Sequence, residues 1–206
     1  MGIPLQNEIA QHVARHLGSP LEVGLRETIG SLSILVVPAS QRKPWQTLVT
    51  SGMSEHAMEA PAGAEDYRHV ELFMRLPPDW PLTREAFDLP DNYWPIESMR
   101  LIARWPGMEP IFLASEQTVG NSPPEPFAPG TRLSSMMLLE DPTAFGSMRL
   151  ADGRVVRFYQ LIALYEEERA MKERMGTRAL IEAFQRNGVS DVIRPDRVNV
   201  ASAPGT

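Results

Sequence analysis

His12 and His16 stand four residues apart on a stretch where Ile9, Val13 and Leu17 recur at helical spacing, with Glu8 one turn earlier. Two imidazoles at positions i and i+4 of a helix can converge on one metal ion, although a tetrahedral site needs further ligands. His56 and His69 are distant in sequence, and the HExxH order of zinc proteases is missing. A polar or partly buried helix edge is the simpler reading of the pair.

Other chemistry is sparser. Ser51-Gly52-Met53-Ser54 puts serines beside a glycine without the Gly-x-Ser-x-Gly elbow of serine hydrolases, so a strand-ending turn that needs glycine's freedom accounts for it. Neither GxxxxGK[ST] nor GxGxxG occurs, which excludes phosphate binding through those loops. Carboxylates adjoin in Glu65-Asp66, Glu140-Asp141 and Glu166-Glu167-Glu168; the last run opens a predicted helix, where the helix dipole favours negative charge on a solvated edge. Aromatics gather near prolines, as Trp80, Tyr93, Trp94 and Trp105, with Trp45 before them and Phe112 and Phe127 after. Such residues either plug a core or form a binding surface, and the sequence leaves both open.

The elements that must position these residues follow from periodicity. A helix is predicted over Gln6–Leu17, ended by Gly18. Leu21–Thr28 and Ser31–Val37 read as an antiparallel hairpin about Gly30, followed by strands at Trp45–Ser51 and Tyr67–Leu76. Prolines make residues 77–95 an ordered irregular crossing, and a second helix is predicted from Pro95 to Pro106-Gly107. Ile111–Val119, Arg132–Glu140, Ser147–Leu150 and Val155–Leu164 read as strands, and Glu166–Met175 and Thr177–Gln185 as helices. The mixed order with few helical crossovers predicts one α+β domain over residues 1–200, with a mostly antiparallel mixed sheet, flanking helices and a frayed tail at 201–206.

Composition narrows the class further. The 206 residues carry 20 Lys+Arg against 26 Asp+Glu, a net charge of −6, which argues against a basic nucleic-acid binder. With 43% hydrophobic and 22% charged residues the chain can bury a core. Cysteine is absent, which removes disulfides and thiolate chemistry and fits a cytoplasmic protein. No segment is apolar enough to span a membrane, and Met1–Leu21 carries Glu8 and two histidines where a signal peptide needs an apolar run.

Several blocks together resemble the Suppressor of Fused domain family. They are Thr47-Leu48-Val49-Thr50-Ser51-Gly52-Met53-Ser54 followed by Met58, Val70-Glu71-Leu72 with Leu76-Pro77-Pro78-Asp79-Trp80, and Tyr93-Trp94-Pro95-Ile96 with Leu101 and Ala103-Arg104. Arg132 with Met137-Leu138-Leu139-Glu140-Asp141-Pro142, and Leu164-Tyr165-Glu166-Glu167-Glu168 with Gly176, extend the likeness to about residues 47–185. One departure is Ser115-Glu116-Gln117-Thr118, where family members often carry a Gly-Asp-His or Gly-His-Thr turn: Glu116 can take the place of the acid, but the imidazole is missing. Trp105 stands where animal members have a tyrosine.

The resemblance implies a non-enzymatic protein-binding module with no cofactor and no metal. Animal members hold a strand-like peptide of Gli transcription factors between this domain and a second one, for which 206 residues leave no room. Stand-alone bacterial members resemble immunity proteins, which implies a toxin domain encoded nearby as partner, and neither nucleic acid nor membrane. The expected surface is a groove near residues 104–118 with an exposed strand edge, touched by Trp105, Glu116, Gln117 and Tyr93. The alternatives are a regulatory or scaffold protein binding a peptide in strand form, and a metal-dependent hydrolase using His12 and His16.

Overall fold

Alternating side chains on one long strand organise the molecule. The computed structural model describes residues 4–21, 32–121 and 123–202. Its sheet consists of β1 (Ser33–Val37), β2 (Gln46–Ser51), β3 (His69–Leu76), β4 (Thr118–Gly120), β5 (Leu133–Glu140), β6 (Ser147–Arg149) and β7 (Val155–Tyr165), in the order β1-β2-β3-β7-β5-β4. Only β3 and β7 pair in parallel; β7 meets β3 along one edge, and β6 then β5 along the other. A mixed, mostly antiparallel α+β sheet is therefore what forms.

Along β7, Tyr159, Leu161, Ala163 and Tyr165 face one side, and Val156, Phe158 and Leu164 face the other. The first side is covered by α2 (Pro90–Met108), whose Trp94, Ile96, Met99 and Ile102 pack on Leu48, Leu72, Met74 and Leu138. The second side is shared. Helix α1 (Leu5–His16) covers β1 to β3 through Ile9 and Val13. The pair α3 (Glu166–Met175) and α4 (Thr177–Arg186) covers β5 and the end of β7 through Leu180, Ala183 and Phe184. The Lys43 ammonium closes the end of α1 by donating to the carbonyls of His16 at 2.8 Å and Leu17 at 3.1 Å.

Three expectations need correction. Helix α2 begins at Pro90 rather than Pro95 and continues through Pro106 to Met108, so the irregular crossing ends at Leu89. Pro90 occupies the first turn, where an N–H is not needed. Burial of Trp94, Pro95 and Ile96 outweighs the single main-chain bond that each inner proline removes. The strand expected over Ile111–Val119 is reduced to Thr118–Gly120, because residues 114–117 turn: Ala114 N–H reaches Gln117 Oε1 at 3.1 Å, and Glu116 adopts a left-handed φ of 70°. The carboxylate run 166–168 is not all solvated, since Glu168 is fully buried. Of the expected first hairpin, Leu21 bridges Val36 antiparallel, and residues 22–31 lie outside the described residues, as do 203–206.

Ser51-Gly52-Met53-Ser54 is a structural corner, as its glycine suggests. Gly52 has φ 117°. The buried Glu71 carboxylate gathers the corner by accepting from Gly52 N–H and Ser54 N–H, both at 3.0 Å, from Ser54 Oγ at 2.6 Å and from Thr50 Oγ1 at 2.5 Å.

Candidate binding groove

Leu101, Trp105 and Met108 follow one another at spacings of four and three residues, so α2 carries them on one face. That face is the side of the helix that the sheet does not cover: Leu101 is 62% and Met108 76% exposed, with Trp105 half-buried between them. Across from them lie Val119 and Gly120 of β4, with Met136 and Phe127 also in the wall, and together they enclose a groove of about 520 Å³. Trp105 both packs against the edge of the main core and lines this groove, so the two readings of its indole meet in one position. Its Nε1–H donates to Glu109 Oε2 at 3.2 Å.

Strand β4 ends the sheet, and its outer edge has no partner strand among the described residues. Leu138 N–H reaches the Gln117 carbonyl at 2.9 Å and Asn121 N–H reaches the Ser134 carbonyl at 3.4 Å. Antiparallel residues alternate in the direction of their main-chain groups, so Thr118 and Gly120 turn theirs away from β5. Gly120 is required for the close packing of the two strands, since a Cβ there would lie 2.8 Å from Ser135 Cβ. The result is a short stretch of unpaired peptide groups beside exposed apolar side chains, the two components of strand-addition recognition.

The remaining expected contact residues divide. Glu116 and Gln117 are exposed and immediately precede β4, but neither lines the groove, and their main-chain groups bond to Leu138 of β5. Tyr93 stands apart from the groove lining: its hydroxyl accepts from Arg100 Nη1 at 2.8 Å, and its ring lies 5.6 Å from that of Phe87. Leu101 and Met108 were missed by sequence reasoning, which left Phe127 open between core and binding surface. The spacing of Leu101, Trp105 and Met108 was the available signal, obscured because Met99 and Ile102 supply a second apolar face that buries against the sheet.

The histidine pair of α1 is arranged for packing. His12 is buried against the rings of Phe145 and Phe158, at centroid distances of 5.5 and 5.1 Å, and its Nε2 is 2.9 Å from the Phe145 carbonyl, which requires it to carry the proton. Burial pushes its pKa down, the Phe145 bond opposes this, and the charges of His16 and Arg15 add to the depression. Among the described residues, no group of three or more His, Cys, Asp or Glu side chains is placed to hold a metal ion.

An α+β sheet flanked by helices thus carries a groove beside an open strand edge. The sequence pattern of the Suppressor of fused protein (SUFU) family matches residues 30–198, and the chain belongs to that family. Solved structures share the fold at low identity. The Sufu–Fu complex gives 17% identity and a TM-score of 0.67 over 97% of this chain and 93% of the other. A SUFU homologue from Neisseria gonorrhoeae FA 1090 gives 14% identity and a TM-score of 0.66 over 97% and 98%. Drosophila Suppressor of Fused gives 17% identity and a TM-score of 0.62 over 96% of this chain but 51% of that one, so this chain spans about half its length. No curated protein matches the sequence.

Proposed function

We propose that this protein is a non-enzymatic binding module that captures a segment of another protein in the groove between α2 and β4, and that it serves as an immunity protein neutralising a polymorphic toxin. The supporting observation is the coincidence of exposed Leu101 and Met108, half-buried Trp105 and the unpaired edge of β4 in one groove. Apolar side chains of the partner would enter the groove while its main chain extends the sheet. A family relative is described in complex with Fu, which supports a protein as the ligand. The net charge of −6 favours encounter with a basic toxin domain.

The test is affinity for the toxin domain encoded beside this gene, measured by calorimetry. Trp105→Ala is expected to weaken binding by at least about tenfold, and Glu116→Lys to weaken it through reversed charge, with unchanged circular dichroism. Full affinity in both folded variants would refute the groove. A partner that binds through it but is not a toxin would favour a regulatory or scaffold role, a reading that the open β4 edge supports equally.

A further inference from the structure

On the face of the sheet opposite the groove, α1 and the segment around β6 enclose a second cavity of about 460 Å³, lined by Arg15, His16, Arg149, Glu8, Ser147 and Met148 among others. In a chain of net charge −6, this concavity has the opposite sign. Neither Arg15 nor Arg149 has a carboxylate within ion-pair distance among the described residues. Arg149 Nη1 donates only to the Gly153 carbonyl, at 2.8 Å. The one acid in the lining, Glu8, is already engaged: its Oε2 accepts from Ala151 N–H at 3.1 Å, and its charge acts on Arg154.

We propose that this cavity binds a phosphate-type oxyanion, held by the guanidinium groups of Arg15 and Arg149 with the His16 imidazole beside them. Two guanidiniums facing a single carboxylate leave the concavity with net positive charge, and an oxyanion balances that charge while accepting their N–H groups in a planar fork. The His12 ring, committed to the Phe145 carbonyl and packed against two phenylalanine rings, fixes the wall from which Arg15 and His16 project. The volume exceeds that of a bare phosphate and lies in the range of small-ligand sites, and Met148 and Ala144 supply an apolar wall for an organic portion. The shared chemistry is the phosphate dianion, free or carried by a small monoester.

The experiment follows the His16 ring resonances by NMR while the protein is titrated separately with inorganic phosphate, glycerol 3-phosphate and, at matched ionic strength, sodium chloride. Saturable shifts with either phosphate at concentrations on the order of 10 mM or below, absent with chloride, are expected. Arg15→Gln and Arg149→Gln are each expected to weaken the binding by about tenfold, and Glu8→Gln to strengthen it severalfold. Tighter binding of glycerol 3-phosphate than of phosphate assigns the site to monoesters, and equal binding assigns it to the free ion. Shifts reproduced by chloride, no saturation, or folded arginine variants with unchanged affinity would overturn the proposal.

Discussion

Glu168 and Arg197 form a two-pronged ion pair in which the carboxylate is fully buried and the guanidinium side chain is 9% exposed. Glu168 also accepts the N–H groups of Tyr165 at 3.1 Å and Val200 at 3.0 Å, and Arg197 Nη2 donates to the Ala163 carbonyl at 2.8 Å. One side chain thus closes the first turn of α3 and holds the C-terminal segment on the sheet. Arg197→Ala leaves an unpaired buried carboxylate and is expected to cost about 3–5 kcal/mol in urea unfolding. Arg132→Ala breaks the exposed pair with Glu167 and a guanidinium contact 5.7 Å from the centre of the Tyr165 ring, and is expected to cost about 1 kcal/mol.

Turn geometry sets a second expectation. Gly146 is buried at the end of a tight turn in which Asp141 Oδ1 accepts from Thr143 N–H at 2.7 Å and Gly146 N–H reaches the Thr143 carbonyl at 3.0 Å. A Cβ at Gly146 would lie 1.7 Å from the Asp141 carbonyl oxygen, a backbone atom that cannot swing aside. Gly146→Ala is expected to destabilise by about 3 kcal/mol or more, read by thermal unfolding. Because the turn also delivers the Phe145 carbonyl to His12, the His12 ring resonances should shift in the same variant.

The buried corner at Glu71 gives a pH signature. Burial, the largest influence, raises the Glu71 pKa, while the bonds from Ser54, Thr50 and Gly52 pull it back down. A carboxyl whose folded pKa lies above its unfolded one holds its proton more tightly when folded. Its contribution to stability is complete below the unfolded value and is lost as pH rises through the folded value. Glu71→Gln imitates the protonated form, since one amide oxygen can accept from Gly52 and Ser54 while the NH₂ group donates to Thr50 Oγ1. This variant is expected to flatten the stability profile above about pH 4.3 and to match or exceed the parent at pH 7. Glu71→Ala orphans the buried donors and is expected to lose at least about 2 kcal/mol by chemical denaturation.

His12 acts in the opposite sense. A histidine held neutral by burial contributes stability that is present above its unfolded pKa, near 6.5, and is lost as pH falls through its depressed folded value. Urea unfolding of the parent is expected to weaken on acidification below about pH 6.5, and His12→Gln, which keeps a donor for Phe145, is expected to show a smaller loss. Equal acid losses in both proteins would place the sensitive group elsewhere.

Strong period-two patterns made the sheet legible in the sequence. Val70, Leu72, Met74 and Leu76 alternate as they pack, and the long β7 declares itself by length and apolar content. What the sequence concealed were competitions between local rules and burial. Proline rules place the start of α2 at Pro95, whereas Trp94, Pro95 and Ile96 are buried within the helix. Glu168 reads as surface charge because its partner Arg197 is 29 residues away. The groove was legible as a region through Trp105 and the edge near residue 118, but its wall needed the third dimension, since Met136 and Phe127 come from other segments.

Leu101 and Met108 separate stability from recognition. Both project from the solvent side of α2, so replacing them removes little buried area, in contrast to Met99 and Ile102 one face away. The double variant Leu101→Gln, Met108→Gln is expected to unfold within about 0.5 kcal/mol of the parent. The same variant should bind less of an environment-sensitive apolar dye, because it removes most of an exposed patch of the kind that marks interaction surfaces. Met99→Ala is expected to cost about 2–5 kcal/mol while leaving that patch in place. A double variant as unstable as Met99→Ala would mean that the outer face of α2 belongs to the core and that no docking surface lies there.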